Sequence, residues 1–266
     1  MNMNITLGQY FPGNSRVHRL DPRTKILLMF AYIVLVFLVK ENWVFLFPLL
    51  FVVLAVRLSH VPFHYVANSI RPLRFLLIFM AVISLLFTPG EREIVSFWKI
   101  TITEEAVYQA VYITLRLVIL LGGTSLMTLT TSPVSLTEGL ERLLKPFARF
   151  KFPAHELAMM MTIALRMIPT LMEEAEKVQK AQMARGADFE SGNVINRAKS
   201  MIPILVPLFV SAFRRADELA MAMESRCYNG GEGRTRMHVL RFRAGDAVAV
   251  ALLALVGAAV LLVQAF

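Results

Sequence analysis

Cysteine is nearly absent from this chain. A single residue, Cys227, among 266 excludes an internal disulfide and any Cys-rich metal site. Charge is scarce as well: Asp, Glu, Lys and Arg make up 18%, against about 25% in soluble domains. No phosphate loop of the Gly-x-x-x-x-Gly-Lys-Ser/Thr kind occurs, so that route to nucleotide binding is closed. The histidines (His18, His60, His64, His155, His238) are scattered. Only His60 and His64 have helical ligand spacing, and Pro62 between them argues against the helix they would need. No metal or other cofactor is therefore expected. The first 25 residues are polar and turn-rich, and the apolar run after them is too long for a secretory signal.

Apolar surface is what the chain has in abundance. It is 56% hydrophobic, with a mean hydropathy of +0.59. Its formal net charge is +9, which has two common readings: nucleic-acid binding, or retention of Lys and Arg on one face of a membrane. Long apolar runs decide for the membrane, and no nucleic-acid partner is expected. A membrane span needs about 20 mostly apolar residues. Candidates are Ile26–Val39, Trp43–Val56, Phe75–Phe87, Ala106–Thr130 and Ala247–Phe266. Only Lys40, Glu41 and Asn42 separate the first two, which read as a tight helical hairpin.

Charge in the connections orients these spans. Arg16, Arg19, Arg23 and Lys25 precede the first; Arg57, Arg71 and Arg74 lie between the second and third. Four acids (Glu91, Glu93, Glu104, Glu105) outweigh Arg92 and Lys99 before the fourth. The stretch from Thr131 to Gly245 is again basic. Five spans with a cytoplasmic N-terminus satisfy every connection. The fold expected is an all-α polytopic membrane protein of about five transmembrane helices plus long cytoplasmic helices. Residues 1–130 would hold four spans, 131–245 the cytoplasmic helices, and 246–266 the last span.

Turn signals divide the cytoplasmic stretch into three helices. Ser135–Phe150 is the first, with Ser135 as N-cap and Glu138 as its capping-box partner. Pro153 opens the second and Gly186 closes it. The third is Arg197–Cys227, ending before Asn229-Gly230-Gly231. Pro169, Pro203 and Pro207 are expected to bend these two longer helices. Their ends are alike: Ala184-Arg185-Gly186 and Ser225-Arg226-Cys227 each place an arginine between small residues. A last-turn arginine by itself merely complements the helix dipole. Two alike, on helices of like character, suggest guanidinium groups left open for forked bonds to a partner.

Here the chain resembles a known family, the transmembrane T component (EcfT) of energy-coupling factor (ECF) vitamin transporters. The resemblance covers essentially the whole chain. It rests on Leu7-Gly8-Gln9-Tyr10-Phe11-Pro12-Gly13, on His18-Arg19-Leu20-Asp21-Pro22-Arg23-Thr24-Lys25, and on two Ala-Arg-Gly motifs. Ala184-Arg185-Gly186 matches its motif fully; Ser225-Arg226-Cys227 matches only at the arginine. Cysteine adopts left-handed backbone geometry less readily than glycine, so the third helix is expected to end at Asn229-Gly230 instead.

The resemblance implies that two ABC-type ATPases dock through the motif arginines, in a cell membrane complex. It implies a membrane-embedded S component that binds the vitamin, with ATP and Mg held by the ATPases. The chain itself would be non-catalytic. Met159, Met160, Met161, Met167, Met172, Met221 and Met223 are ordinary core by default, but adaptable methionine surfaces also suit a subunit that docks several S components. Arg116, the only charge inside a span, reads as structural before functional. Three rivals stand beside this reading. The nearest is a conventional ABC importer permease that binds solute directly, and the others are a membrane-embedded enzyme and a scaffold. No ionisable cluster within the spans favours the first two.

Overall fold

The computed structural model describes residues 10–90, 92–97, 100–146, 153–187, 189, 193, 195, 199–230 and 240–265. Leu7 to Gln9, Arg197, Gly231, His238 and Phe266, named above, lie outside them, as do Glu91, Lys99 and Phe150. The chain is an all-α polytopic membrane protein with one small β-hairpin, and it divides into two units.

The first unit begins with α1 (Pro22–Leu38). Asp21 starts this helix by accepting from the Arg23 amide, and Pro22 occupies the first helical position, where a missing N–H costs nothing. A 3-10 turn, Asn42–Phe45, leads into α2 (Leu46–Ser59). Next come α3 (Phe63–Ile70) and α4 (Arg74–Phe87), joined by the 3-10 turn Arg71–Leu73. Strands β1 (Glu93–Phe97) and β2 (Ile100–Thr103) pair antiparallel. They are followed by α5 (Glu104–Thr130), capped by the Thr103 hydroxyl and favoured by Glu104 and Glu105 at its positive end. The unit is completed by α6 (Pro133–Leu144) and by α9 (Ala244–Ala265) near the end of the chain. The second unit holds α7 (Ala154–Ala184) and α8 (Ile202–Glu224).

Among the described residues, four helical stretches are long and apolar enough to cross a bilayer: Asn42–Ser59, Phe63–Phe87, Glu104–Thr130 and Ala244–Ala265. The first expected span forms as α1, whose 17 residues reach about 25 Å at 1.5 Å per residue. That falls short of the ~30 Å hydrocarbon core. The third span starts twelve residues earlier than its apolar run, at Phe63 rather than Phe75. Pro72 does not stop it, because the proline falls in the first positions of a fresh 3-10 turn. Arg71 and Arg74 consequently lie on this helical run and not in a connection. The β-hairpin occupies what reads in sequence as a plain acidic loop.

Tyr32, Val36, Val39, Val52, Val56, Ile119, Leu126, Leu253 and Val260 form the core of this unit. The Tyr32 hydroxyl donates to the Ile119 carbonyl at 2.8 Å, and Gly123 leaves room for the Tyr32 ring where any Cβ would collide. The threonine and serine hydroxyls of α5 are satisfied within their own helix, as an apolar surround demands. Thr114 donates to the Ala110 carbonyl at 2.7 Å, Thr124 to Leu120 at 2.9 Å, and Thr130 to Leu126 at 2.8 Å. This explains why α5 is the least apolar span yet still qualifies as one. Arg116 has a structural place: its Nη2 donates to the Val39 carbonyl at 3.1 Å and bonds the Tyr112 hydroxyl. It thereby satisfies a carbonyl at the C-terminal end of α1, where a cation is favoured.

Two helix starts correct the sequence reading. Ser132, not Ser135, caps α6: its Oγ accepts from the Ser135 amide at 3.2 Å, and Pro133 takes the first helical position. Pro203 likewise sits at the start of α8 and bends nothing, whereas Pro169 and Pro207 lie inside their helices.

Candidate functional site

The two arginine-bearing helix ends share one geometry. At the end of α7 the Gly186 amide donates to the Met183 carbonyl and the Ala187 amide to Gln182, both at 3.0 Å. These paired bonds, closing over a left-handed residue, define a Schellman cap. Gly186 supplies that residue, with φ of 87°. At the end of α8 the Cys227 amide donates to Glu224 at 2.8 Å and the Tyr228 amide to Met223 at 3.0 Å. Cys227 takes the left-handed place, with φ of 57°. The expectation that the helix runs on to Asn229-Gly230 is thus overturned. Two carbonyls of the last turn gain partners by closing the cap early, which outweighs the cost of the conformation in a non-glycine residue.

Arg185 and Arg226 therefore occupy the same position, one residue before the left-handed one, although only one motif contains glycine. Both side chains are exposed, as are Ala184, Gly186, Ser225 and Cys227. Among the described residues neither guanidinium has an ion-pair or hydrogen-bond partner. The cap satisfies the last-turn carbonyls with backbone amides, so the arginines are not needed for helix closure. A left-handed Cβ costs about 1 kcal/mol. Cys227→Gly is accordingly expected to slow hydrogen exchange of the Cys227 and Tyr228 amides; unchanged protection would show that the cap carries no strain.

The helices pack against each other and run antiparallel, because contacts pair Glu174 with Arg215 but Gln182 with Pro203. Arg215 donates to Glu174 at 2.8 Å. The Ser211 hydroxyl and the Arg215 guanidinium together hold the Glu174 carboxyl below its ordinary range. Of the methionines named from sequence, Met160, Met161 and Met221 are exposed, while Met159, Met167, Met172 and Met223 are half-buried. A broader apolar stripe was missed. Leu205, Val206, Phe209, Val210 and Phe213 follow helical spacing along α8 and are all exposed, Phe213 to 68%.

The N-terminal motif forms a second cluster, within the first unit. His18 Nε2 donates to the Phe11 carbonyl at 3.0 Å, leaving Nδ1 to accept from the Ser15 hydroxyl at 2.7 Å. Burial pushes the His18 imidazole below its usual range, aided by the Lys25 charge and against the pull of the Phe11 carbonyl. The Phe11 amide donates to Leu129 at 2.9 Å, fastening the strap to the end of α5. Burial alone would raise Asp21, but the forked bonds and charge of Arg23 hold its carboxyl below the ordinary range. Asp246, absent from the sequence reading, joins the cluster: it accepts from the Asp21 amide at 2.8 Å and from the Arg243 amide at 2.7 Å. An acid three residues after the N-cap position, here Arg243, is a capping-box signal, and the purity of the apolar run beyond obscured it.

His60 and His64 do not share a helix. His60 ends α2 in left-handed geometry, and His64 lies on α3 beyond Pro62.

A model of the family described as "Cobalt transport protein" (CbiQ) matches residues 13–239. A relative in Thermosediminibacter oceani, named energy-coupling factor transporter transmembrane protein EcfT, is 56% identical over 245 residues, covering 92% of each chain. The protein of that name in Acidaminococcus fermentans is 55% identical over 249 residues, 93% of this chain and 92% of its own. That in Lactococcus lactis subsp. cremoris is 44% identical over 247 residues, 93% of each. Apolar spans joined to helices with open arginine ends, in a chain so related, define a transmembrane component of a transporter. The chain belongs to the EcfT family of energy-coupling factor transporter transmembrane proteins.

Proposed function

We propose that this subunit links ATP hydrolysis by two ABC-type ATPases to uptake of a vitamin or other micronutrient bound by a separate S component. The observation that carries the reading is the pair of equivalent, exposed arginines, Arg185 and Arg226, unpaired among the described residues. Each guanidinium is free to make forked bonds to carboxylates or carbonyls in a groove of one ATPase. Two equivalent ends suit two equivalent partners. Residues Ala184, Gly186, Ser225 and Cys227 keep the approach narrow. Catalysis, with its ATP and Mg, belongs to the ATPases.

The S component would lie against the exposed apolar side chains of α7 and α8, with Met160 and Met221 adapting to different partners. Segment 131–245 lies on the cytoplasmic side in this reading, with 1–130 and 246–266 carrying the cell-membrane spans. The basic residues before α1 support a cytoplasmic N-terminus. Cobalt in the family's description and the vitamin class differ, and selection between such cargoes rests with the S component.

Affinity purification of the tagged chain from its native membrane tests the proposal. Two ATPase chains and a small hydrophobic protein are expected to travel with it. Recovery of the chain alone, or with a solute-binding lipoprotein and no small membrane partner, would favour the conventional permease.

A further inference from the structure

Contacts between α7 and α8 place one ion pair midway between the two arginine ends. Glu174 and Arg215 are 41 positions apart, the same separation as Arg185 and Arg226. Each arginine consequently lies 11 residues beyond the member of the pair on its own helix. Neither arm, 175–185 or 216–226, contains proline or glycine. Pro169 and Pro207 both fall on the other side of the ion pair. At 1.5 Å per residue each arm is about 16 Å long. Because the helices run antiparallel, the arms point away from the pair in opposite senses.

The offset of 41 also relates residues along the arms. Ala175 corresponds to Ala216, Glu176 to Asp217, Val178 to Leu219 and Ala181 to Ala222. At the centre the correspondence changes from likeness to complementarity, with Glu173 and Glu174 against Arg214 and Arg215. We propose that the Glu174–Arg215 pair is the pivot that registers α7 against α8, and so fixes the span and relative direction of Arg185 and Arg226.

Sliding either helix by one turn would change the separation of the two arginines along the helices by about 5 Å. Two partners related by a two-fold axis could then not meet both arginines together. A bond between oppositely charged side chains resists that slip in a way that the apolar contacts around it do not. The Ser211 hydroxyl, one turn before Arg215, also helps hold the Glu174 carboxyl below its ordinary range. Glu174 and Arg215 act through the arginines, as positioning residues. Part-exposed ion pairs contribute little to bulk stability, so the fold survives their removal and the loss is one of register.

The functional half of this inference rests on the ATPase-docking reading; the structural half does not. The test therefore has two arms. In the full-length chain, spin labels on native Cys227 and on an Ala187→Cys variant report the distance between the helix ends. Wild type is expected to give one narrow distribution. Glu174→Gln and Arg215→Gln are each expected to broaden it, and the exchanged pair Glu174→Arg with Arg215→Glu to narrow it again. In reconstituted complexes without labels, the single variants should still bind ATPases but lower uptake per ATP on the order of threefold, with recovery in the exchange. Unbroadened distances in both single variants, or an exchange that restores neither readout, would overturn the pivot. Distances that broaden in the single variants and narrow in the exchange, with no change in uptake, would instead sink its use in coupling and point at the docking reading.

Discussion

Arg185→Glu is expected to abolish ATP-driven uptake while leaving the subunit folded and in the membrane. The first half follows from position. Arg185 is exposed at the end of α7, and truncating one partner of a charge pair buried on docking costs about 2–5 kcal/mol. Reversal adds repulsion from the carboxylates that the arginine would have met, and 4 kcal/mol is already roughly a thousandfold in affinity. The second half follows from the cap. Gly186 and Ala187 amides close the last turn, so the side chain has no closing task. A negative charge at a helix C-terminus costs only about 0.3–1 kcal/mol. Arg226→Glu should behave alike, because the cap around Cys227 puts it in the equivalent place. Pull-down of the ATPases and uptake into energised vesicles measure the loss, with the thermal midpoint as the control for folding. Both variants transporting normally would end the docking argument.

Features set by neighbours in sequence were legible before the structure. Asp21-Pro22 carries the signal for the start of α1, with cap and ring both acting within one turn, although the apolar run alone put that start at Ile26. The long apolar runs locate the spans because a bilayer asks only for length and composition. Small errors arose where two local signals competed. Ser135 with Glu138 imitates a capping box, but Pro133 fits only the first helical position and so assigns the cap to Ser132. Phe63–Phe87 begins earlier than its hydropathy suggests, since Pro72 falls at the start of a fresh 3-10 turn and does not end the helical run. Cys227 in left-handed geometry was the costlier option locally, and paired amide bonds decided otherwise.

Long-range pairings were not legible at all. Nothing around Glu174 distinguishes it from Glu173 or Glu176, and only the antiparallel packing of α8 selects it for Arg215. Arg116 is similar: its charge was visible, but the Val39 carbonyl that it meets lies 77 positions away. The arginine motifs were found because they repeat. Their equivalence in three dimensions needed the caps.

Lys25→Met is expected to loosen the N-terminal strap and lower the thermal midpoint by about 5–10 °C. Lys25 is 7% exposed, and its ammonium donates to three acceptors: the Thr130 carbonyl at 2.8 Å, the His18 carbonyl at 3.3 Å and the Thr131 hydroxyl at 3.3 Å. Those acceptors come from the strap before α1 and from the end of α5, so one side chain ties three segments together. Methionine matches the length and apolar stem of lysine, which keeps the packing and removes only the ammonium. Each buried acceptor left unmade costs about 1–3 kcal/mol, and a total near 3 kcal/mol moves the midpoint of a domain this size by roughly 6–12 °C. Relaxation of the strap toward water recovers part of that, hence the lower figure. Asp246 also loses the nearby positive charge, although it keeps its bonds to the Asp21 and Arg243 amides. Arg241→Met, at an exposed position, is the control for loss of a positive charge alone. Fluorescence-detected unfolding in detergent separates the two. Equal midpoints for wild type and Lys25→Met would mean that solvent reaches the three acceptors and that the strap is held by Asp21, Arg23 and Asp246 without the lysine.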